Sequence, residues 1–394
     1  MAGITITDPR DASDFERFAI VDAQGFANRI DWTRRWLDAA RQHMRFRFAR
    51  SDDEVIGGYG LMATGQYFGG RSVPAGAVAA VVVSPLWRRR GVAGLMMRDL
   101  VTVCREGGYA LAPLLAATVR LYRRWGWEIV DRGFDHIVRT EALSGFRGEG
   151  EPVASPPHGE LEALRRSYLH RWDGPLDRPE WWLAVEAIPE DESEPELVYG
   201  WKEDGALTGF VRYRYERRPG VNWLRVVVEE FHATTQDSQR GLLGLLAGNE
   251  SLSNEVVFHY CLPSRNDLLF LLSDASKAVS VEARMCLMQR IVDLRSAFTQ
   301  RGWQLQRHRL QLAVQDPVDG TQRFTAAFDD GEVRLGDGGD GSVSCTAGVL
   351  AAWYSGSLRA IDAVRMGLMS AAADDAIAMD ALIGGRPVWM ADHF

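Results

Sequence analysis

The sequence predicts an α/β chain that changes to α+β in its last quarter, on three observations. Strand-like and helix-like periods alternate through about the first 140 residues. The alternation resumes after a Gly/Pro/Ser-rich stretch, and beyond Arg301 a run of strands precedes a run of Ala-rich helices. At roughly 150 residues per domain, 394 residues make two to three domains.

Residues 14–24 and 32–42 carry apolar side chains at helical spacing, with Phe15, Phe18 and Ala19 in one and Trp32, Trp36 and Leu37 in the other. The period then becomes that of strands over 45–49, 54–62 and 76–83, with Gly57, Gly58, Gly69 and Gly70 read as turns. The run GAVAAVVV (76–83) suits a strand buried on both faces. In the next helix Val92, Leu95, Met96, Leu100, Val103 and Cys104 form the stripe, and Gly107 and Gly108 end it. A strand (109–116), a short helix (118–125) and a strand (128–139) complete the first unit.

SGFRGEGEPVASPPHGE (144–160) has no period and reads as a linker. Helices at 160–172 and 179–187, strands at 196–201, 206–215 and 222–229, a helix at 234–248 and a strand at 255–262 follow. The last unit has strands at 303–315, 321–328, 331–336 and 342–347, then helices at 348–355, 357–364 and 374–384. The expected division is 1–143, 144–300 and 301–394.

Composition excludes several classes. The 45 Lys plus Arg against 53 Asp plus Glu give a net charge of −8, which argues against a nucleic-acid partner. No 18-residue apolar run is present, so no membrane span is expected, and the first residues lack the pattern of a signal peptide. Cys104, Cys261, Cys286 and Cys345 form no CxxC pair and the eight histidines are scattered. A cytoplasmic chain with free thiols and no metal is the expectation.

The sharpest local signal is the strand VVV (81–83) followed by SPLW and then Arg88, Arg89, Arg90, Gly91, Val92, Ala93 and Gly94 at the start of a helix. Free N–H groups and the positive end of a helix dipole, joined by three arginines, make a cradle suited to a diphosphate. The spacing Arg88-x-x-Gly91-x-Ala93 resembles the acetyl-CoA pyrophosphate loop of the GCN5-related N-acetyltransferases (GNAT). LYRRWGWE, with Tyr122, Gly126 and Trp127, falls where their next landmark stands.

GWKEDGALTGFVRYRY (200–215), LMQRIVDLRSAFTQRGW (287–303) and the ending RPVWMADHF (386–394) extend the resemblance to the Eis (enhanced intracellular survival) branch. That resemblance implies tandem GNAT folds followed by a sterol-carrier-protein-like C-terminal domain. It implies acetyl-CoA contacts at Val81, Val82, Val83, Arg88 to Gly94, Ala117 and Thr118, with Tyr122 as general acid and the terminal carboxylate of Phe394 as base. A strand N–H, that of Val83, is expected to polarise the thioester. Asp31 and His393 are candidates for the substrate pocket. The acceptor implied is a small-molecule amine, aminoglycosides among them, and the assembly a homo-oligomer, a hexamer. A lipid carrier, an acetyl-CoA sensor and a protein lysine acetyltransferase are the alternatives.

Within the second unit, VVVEEFHATTQDSQRGLLGLL (226–246) parallels VVVSPLWRRRGVAGLM (81–96), but Val228 to Gly241 spans thirteen positions where Val83 to Gly91 spans eight. Glu229, Glu230 and Asp237 fall in that longer stretch and would repel a pyrophosphate, so this copy is expected not to bind acetyl-CoA. Gly336-x-Gly338-x-x-Gly341 imitates a dinucleotide fingerprint but lies between strand-like segments and reads as a hairpin loop.

Overall fold

The computed structural model describes residues 3–182, 185, 188, 196–217, 223–264 and 266–392. The first unit contains strands β1 (Ile4–Thr7), β2 (Arg45–Ser51), β3 (Glu54–Phe68), β4 (Arg71–Val83), β5 (Leu111–Ala116) and β6 (Glu128–Arg139), with helices α1 (Ala12–Phe26), α2 (Ile30–Ala40), α3 (Val92–Glu106) and α4 (Val119–Arg123). Asp11 starts α1 by accepting the N–H groups of Ser13 and Asp14. Gly57 and Gly58, expected as turns, lie inside β3. A Cβ at Gly58 would stand 2.7 Å from the Arg47 carbonyl oxygen and 2.8 Å from the Phe18 ring, so close packing selects glycine there.

The second unit runs through β7 (Glu151–Ala154), α5 (His158–Leu169), β8 (Leu176–Asp177), β9 (Leu197–Glu203), β10 (Ala206–Arg217), β11 (Leu224–Ala233), α6 (Gln236–Ala247), β12 (Glu255–His259) and β13 (Val279–Ile291). Of the helix expected over 179–187, residues 183, 184, 186 and 187 lie outside the described residues. Strand β13 is absent from the sequence reading because its first half, Ser280 to Met285, is exposed on alternate and intervening positions alike and shows no period of two.

Among the described residues thirteen strands form one sheet, in the order β1-β2-β3-β4-β5-β13-β6-β12-β11-β10-β9-β7, with β8 beside β3. Strand β13 is antiparallel to both β5 and β6, and β6 is antiparallel to β12. Each unit's final strand therefore lies against the other unit's fork-forming strand. The boundary expected at 143/144 divides the chain but not the sheet.

The last unit holds α7 (Leu294–Gln300), β14 (His308–Asp316), β15 (Gly320–Asp329), β16 (Glu332–Asp337), β17 (Val343–Thr346), α8 (Ala347–Ser355), α9 (Ala360–Arg365), β18 (Met369–Ser370) and α10 (Ala373–Ile383). Its sheet order is β16-β15-β14-β17-β18. The Gly336–Gly341 loop thus joins two strands that are not neighbours, and is a crossover rather than the expected hairpin. Helix α8 is buried along its whole length. Its Trp353 stacks on Trp303 at 5.8 Å, and Phe298 meets Phe324 at 5.6 Å, so rings fill the interior of this unit. The same apolar cluster continues into Phe68, Val73 and Leu287 of the large sheet.

Candidate functional site

Strands β4 and β5 run parallel and pair only at Ala75 with Leu111 and Val78 with Leu114. Beyond these positions β4 continues to Val83 and β5 to Ala116, and the two diverge into a fork. The register of β4 against β3 slips between Gly58 and Gly60, leaving Ala80 and Val81 opposite Tyr59 alone, and Ala80 takes a φ of +52°. Ala79, Ala80, Val81 and Val83 are only half-buried although they sit in the middle of the sheet.

The Ser84 N–H donates to the Ile56 carbonyl at 2.8 Å. Backbone groups alternate along a strand, so Val83 turns its N–H away from β3 and into the fork. The Val83 carbonyl points the same way and accepts from Arg88 Nε at 3.2 Å.

A single 3-10 turn (Pro85–Trp87) leads to the arginines. Arg89 at φ +61° and Gly91 at φ +82° are both left-handed, and α3 begins at Val92. A Cβ at Gly91 would meet nothing within 4 Å, so conformation rather than crowding selects the glycine. No side chain caps α3, and its first internal bond is from Leu95 N–H to the Gly91 carbonyl. The N–H groups of Val92, Ala93 and Gly94 thus have no acceptor within the helix. Arg90 stacks over Trp87 at 5.0 Å, and no carboxylate pairs with Arg88, Arg89 or Arg90 among the described residues. Ala117 and Thr118 are exposed just past the end of β5.

Tyr122 on α4 is 5% exposed and meets Trp127 edge to face at 6.2 Å. It shares an apolar cluster with Val92, Met96 and Ala116, and Val81 and Val83 border that cluster, which brings the end of β4, the start of α3 and α4 together. Burial alone pushes its phenol up to about 12. Gly126 adopts φ +86° beside Arg290, whose Nη1 would be 1.8 Å from a Cβ there. Trp127 Nε1 donates to the Ala112 carbonyl at 2.8 Å, fixing α4 against β5.

Asp31, in the first turn of α2, is 77% exposed at its side chain and lies 3.6 Å from Arg34 of the same turn. His393 and Phe394 lie outside the described residues.

The residues before them are held at several points. Asp173 N–H donates to the Pro387 carbonyl at 3.1 Å and Trp389 N–H to the Asp173 carbonyl at 2.9 Å. Met390 N–H donates to Asp131 Oδ2 at 2.8 Å, and burial pushes that carboxyl up to about 6. The Trp389 ring meets Trp172 at 5.3 Å. Asp392 accepts from Leu176 N–H at 2.5 Å and from Arg178 Nε at 2.6 Å. Arg178 continues to Glu230 at 3.2 Å, where Arg165 and Arg212 converge. Burial pushes the Glu230 carboxyl up, but Arg212 and Arg165 outweigh it and hold the group well below its ordinary range. None of these partners forms a motif, because they are distant in sequence.

The second unit repeats the fork without its opening. Strands β11 and β12 pair in parallel from Val226 with Val256 to Val228 with Phe258. Beyond that, Phe231 meets Phe258 at 5.5 Å and Cys261 Sγ reaches the Val228 carbonyl at 3.3 Å. A cavity of about 40 Å³ remains, lined in part by Tyr168, Trp172, Leu262 and Pro263. Helix α6 is closed by a reciprocal cap between Thr235 and Ser238. Glu229 and Glu230 lie within β11, not in a loop as the spacing suggested. Gly241 lies inside α6, where a Cβ would stand 2.3 Å from the Trp201 ring.

Models of the acetyltransferase (GNAT) domain match residues 8–130 and again 174–295, and a sterol carrier protein domain matches 294–391. The chain is 26% identical over 276 residues to the N-acetyltransferase Eis of Mycobacterium tuberculosis (strain ATCC 25177 / H37Ra). That match covers 66% of this chain and 65% of the relative, just under two thirds of its length. An uncharacterized N-acetyltransferase of Streptomyces avermitilis is 28% identical over 365 residues, covering 83% of this chain and 82% of its own. Among solved structures, a GCN5-related N-acetyltransferase from Anabaena variabilis superposes with a TM-score of 0.91 at 19% identity, covering 100% of both chains. Eis1 from Mycobacterium abscessus superposes at 0.79 and 22%, also covering 100% of both. At these identities the superpositions speak for the fold. Two acetyltransferase domains in tandem, together over more than half of the chain, show that it belongs to the GCN5-related N-acetyltransferases, and the sterol carrier domain behind them and the Eis relative make it similar to the Eis branch.

Proposed function

We propose that the chain transfers the acetyl group of acetyl-CoA to a primary amine of a small molecule. The observation that carries this reading is the contrast between the two forks. In the first, a helix N-terminus without a side-chain cap, two left-handed residues and three arginines with no carboxylate partner among the described residues stand at an open fork; in the second, rings fill the fork and side chains close the helix. The diphosphate lies on the N–H groups of Val92 to Gly94 with Arg88, Arg89 and Arg90 around it, and the pantetheine arm enters the fork past Ala117 and Thr118.

The neutral amine attacks the thioester carbon, the carbonyl oxygen takes negative charge, and the Val83 N–H stabilises it. As the C–S bond breaks, the Tyr122 hydroxyl gives its proton to the departing thiolate; a phenol pushed up to about 12 is fully protonated at neutral pH, as a donor must be. The amine's proton passes through water to the carboxylate of Phe394. Likeness to the family is the ground for proposing a cytoplasmic hexamer, and light scattering tests the assembly.

Release of CoA thiol from acetyl-CoA with a panel of amines tests this reading. Turnover with a small amine supports it. Turnover with peptides alone identifies a protein acetyltransferase, and tight acetyl-CoA binding without turnover identifies a sensor.

A further inference from the structure

Asp22 stands where the period of α1 demands an apolar residue. The inward stripe of α1 runs through Phe15, Phe18, Asp22 and Gly25, and Asp22 is 3% exposed. Its Oδ1 finds no hydrogen-bond partner among the described residues, and burial alone pushes its carboxyl up to about 7, with no basic group contributing. A buried carboxyl without donor or cation is costly, and such groups concentrate where a ligand supplies the missing partner.

Its position fits that role. One turn further along, a Cβ on Gly25 would stand 2.2 Å from Val82 Cγ2, so α1 lies directly on β4 at the level of the fork. Half-buried Ala79 and Ala80, on the bulge of β4, belong with Val82, Phe18 and Trp36 to the apolar cluster beneath this helix. Val81 and Val83 belong instead to the cluster of Tyr122 and Val92. Asp22 therefore approaches the reacting end of β4 from the face opposite Tyr122.

We propose that Asp22 is the counter-ion for an ammonium group of the acceptor, and that the acceptor is a diamine or polyamine: one amine is held as a cation by Asp22 while another, neutral, reaches the thioester. The inference rests on the reading of the chain as an amine acetyltransferase. Apolar walls around one carboxyl make it selective for a compact cation, since an uncharged group there leaves the carboxyl unpaired.

The test compares 1,5-diaminopentane with pentylamine in the full chain and in Asp22→Asn, an isosteric change. In the wild type the diamine is preferred at least tenfold in kcat/KM, and in the variant the ratio falls towards one, mainly through KM. An unchanged ratio overturns the proposal. Acetyl-CoA affinity equal to wild type shows that the variant is folded, and a variant of higher thermal stability at pH 8 separates a ligand-binding carboxyl from a structural one, which would give the reverse. If neither amine is acetylated by the wild type, the enzymatic reading fails, but calorimetry of 1,5-diaminopentane still decides for Asp22. Tenfold weaker binding in Asp22→Asn supports the counter-ion, and equal or absent binding in both proteins removes it.

Discussion

Arg178 and Asp392, 214 positions apart, form a buried ion pair with Nε 2.6 Å from Oδ1. The pair ties the segment before His393 to the loop after β8 and, through Glu230, to the strand β11 of the second unit. Removing Arg178 leaves the Asp392 carboxylate in the interior without this cation, which costs about 3–5 kcal/mol. Arg178→Ala is therefore expected to lower stability by that order. It should also speed hydrogen exchange at the amides of Trp389 and Met390, with Asp392→Asn milder because its amide oxygen still accepts from Leu176.

The three arginines and Gly91 should act on acetyl-CoA alone. Gly91→Ala forces a Cβ into the left-handed region at about 1–2 kcal/mol, and the distortion falls on the N–H groups of Val92 to Gly94. Calorimetry should show weaker acetyl-CoA binding in this variant and in Arg89→Ala, with the affinity of the wild type falling steeply as salt rises.

One acetyl-CoA per chain is the expected stoichiometry. Thr235→Ala removes the cap of α6 at a cost of about 1 kcal/mol but opens no second site, since Phe231 and Phe258 still fill that fork. Two binding events per chain, in the wild type or this variant, would falsify the assignment of one fork as closed.

Tyr122→Phe keeps the ring that packs on Trp127 and removes only the hydroxyl. A lost proton donor lowers kcat by roughly 10²–10⁴-fold. Single-turnover kinetics should place the loss in the acetyl-transfer step, with acetyl-CoA affinity close to wild type.

Asp22 gives stability a definite pH slope. Its folded carboxyl titrates near 7, against an ordinary value of about 3.9 in the unfolded chain. The unfolded state therefore releases its proton first, and the fold loses stability as pH rises from about 4 to about 7 and then levels off. Asp22→Asn lacks this loss. Its advantage over wild type should be near zero at pH 4 and grow to roughly 4 kcal/mol at pH 8, as melting curves across that range would show. A constant difference would mean that the carboxyl titrates normally.

The alternation of periods, the VVV strand and the arginine loop were legible because each is local: a strand, a turn and a helix N-terminus fall within Val81 to Gly94. Tyr122 was legible through its neighbours Gly126 and Trp127, both of which the structure explains. Asp22 was legible in principle, as a carboxyl at an inward position of a helix whose other inward residues are Phe15 and Phe18. Strand β13 was not, because half of it faces solvent and shows no alternation. Nor was the anchoring of Asp392, since its partners Leu176 and Arg178 lie more than two hundred positions away and only the folded chain brings them together. Glu229 and Glu230 misled for a related reason: the spacing placed them in the connection, whereas β11 runs on past Val228 to Ala233 while β4 stops at Val83, and it buries Glu230 among arginines.

The exchange of final strands ties the fate of the two acetyltransferase units together during synthesis. A nascent chain that has emerged only as far as β6 still lacks partners along β5 and along both edges of β6; β5 and one edge of β6 wait for β13, more than a hundred residues later, and the other edge of β6 waits for β12. Until then the first unit's fork has one wall without its flank. The unit whose own fork is filled is thus the one that finishes the other's, which gives the duplicate a structural task of its own.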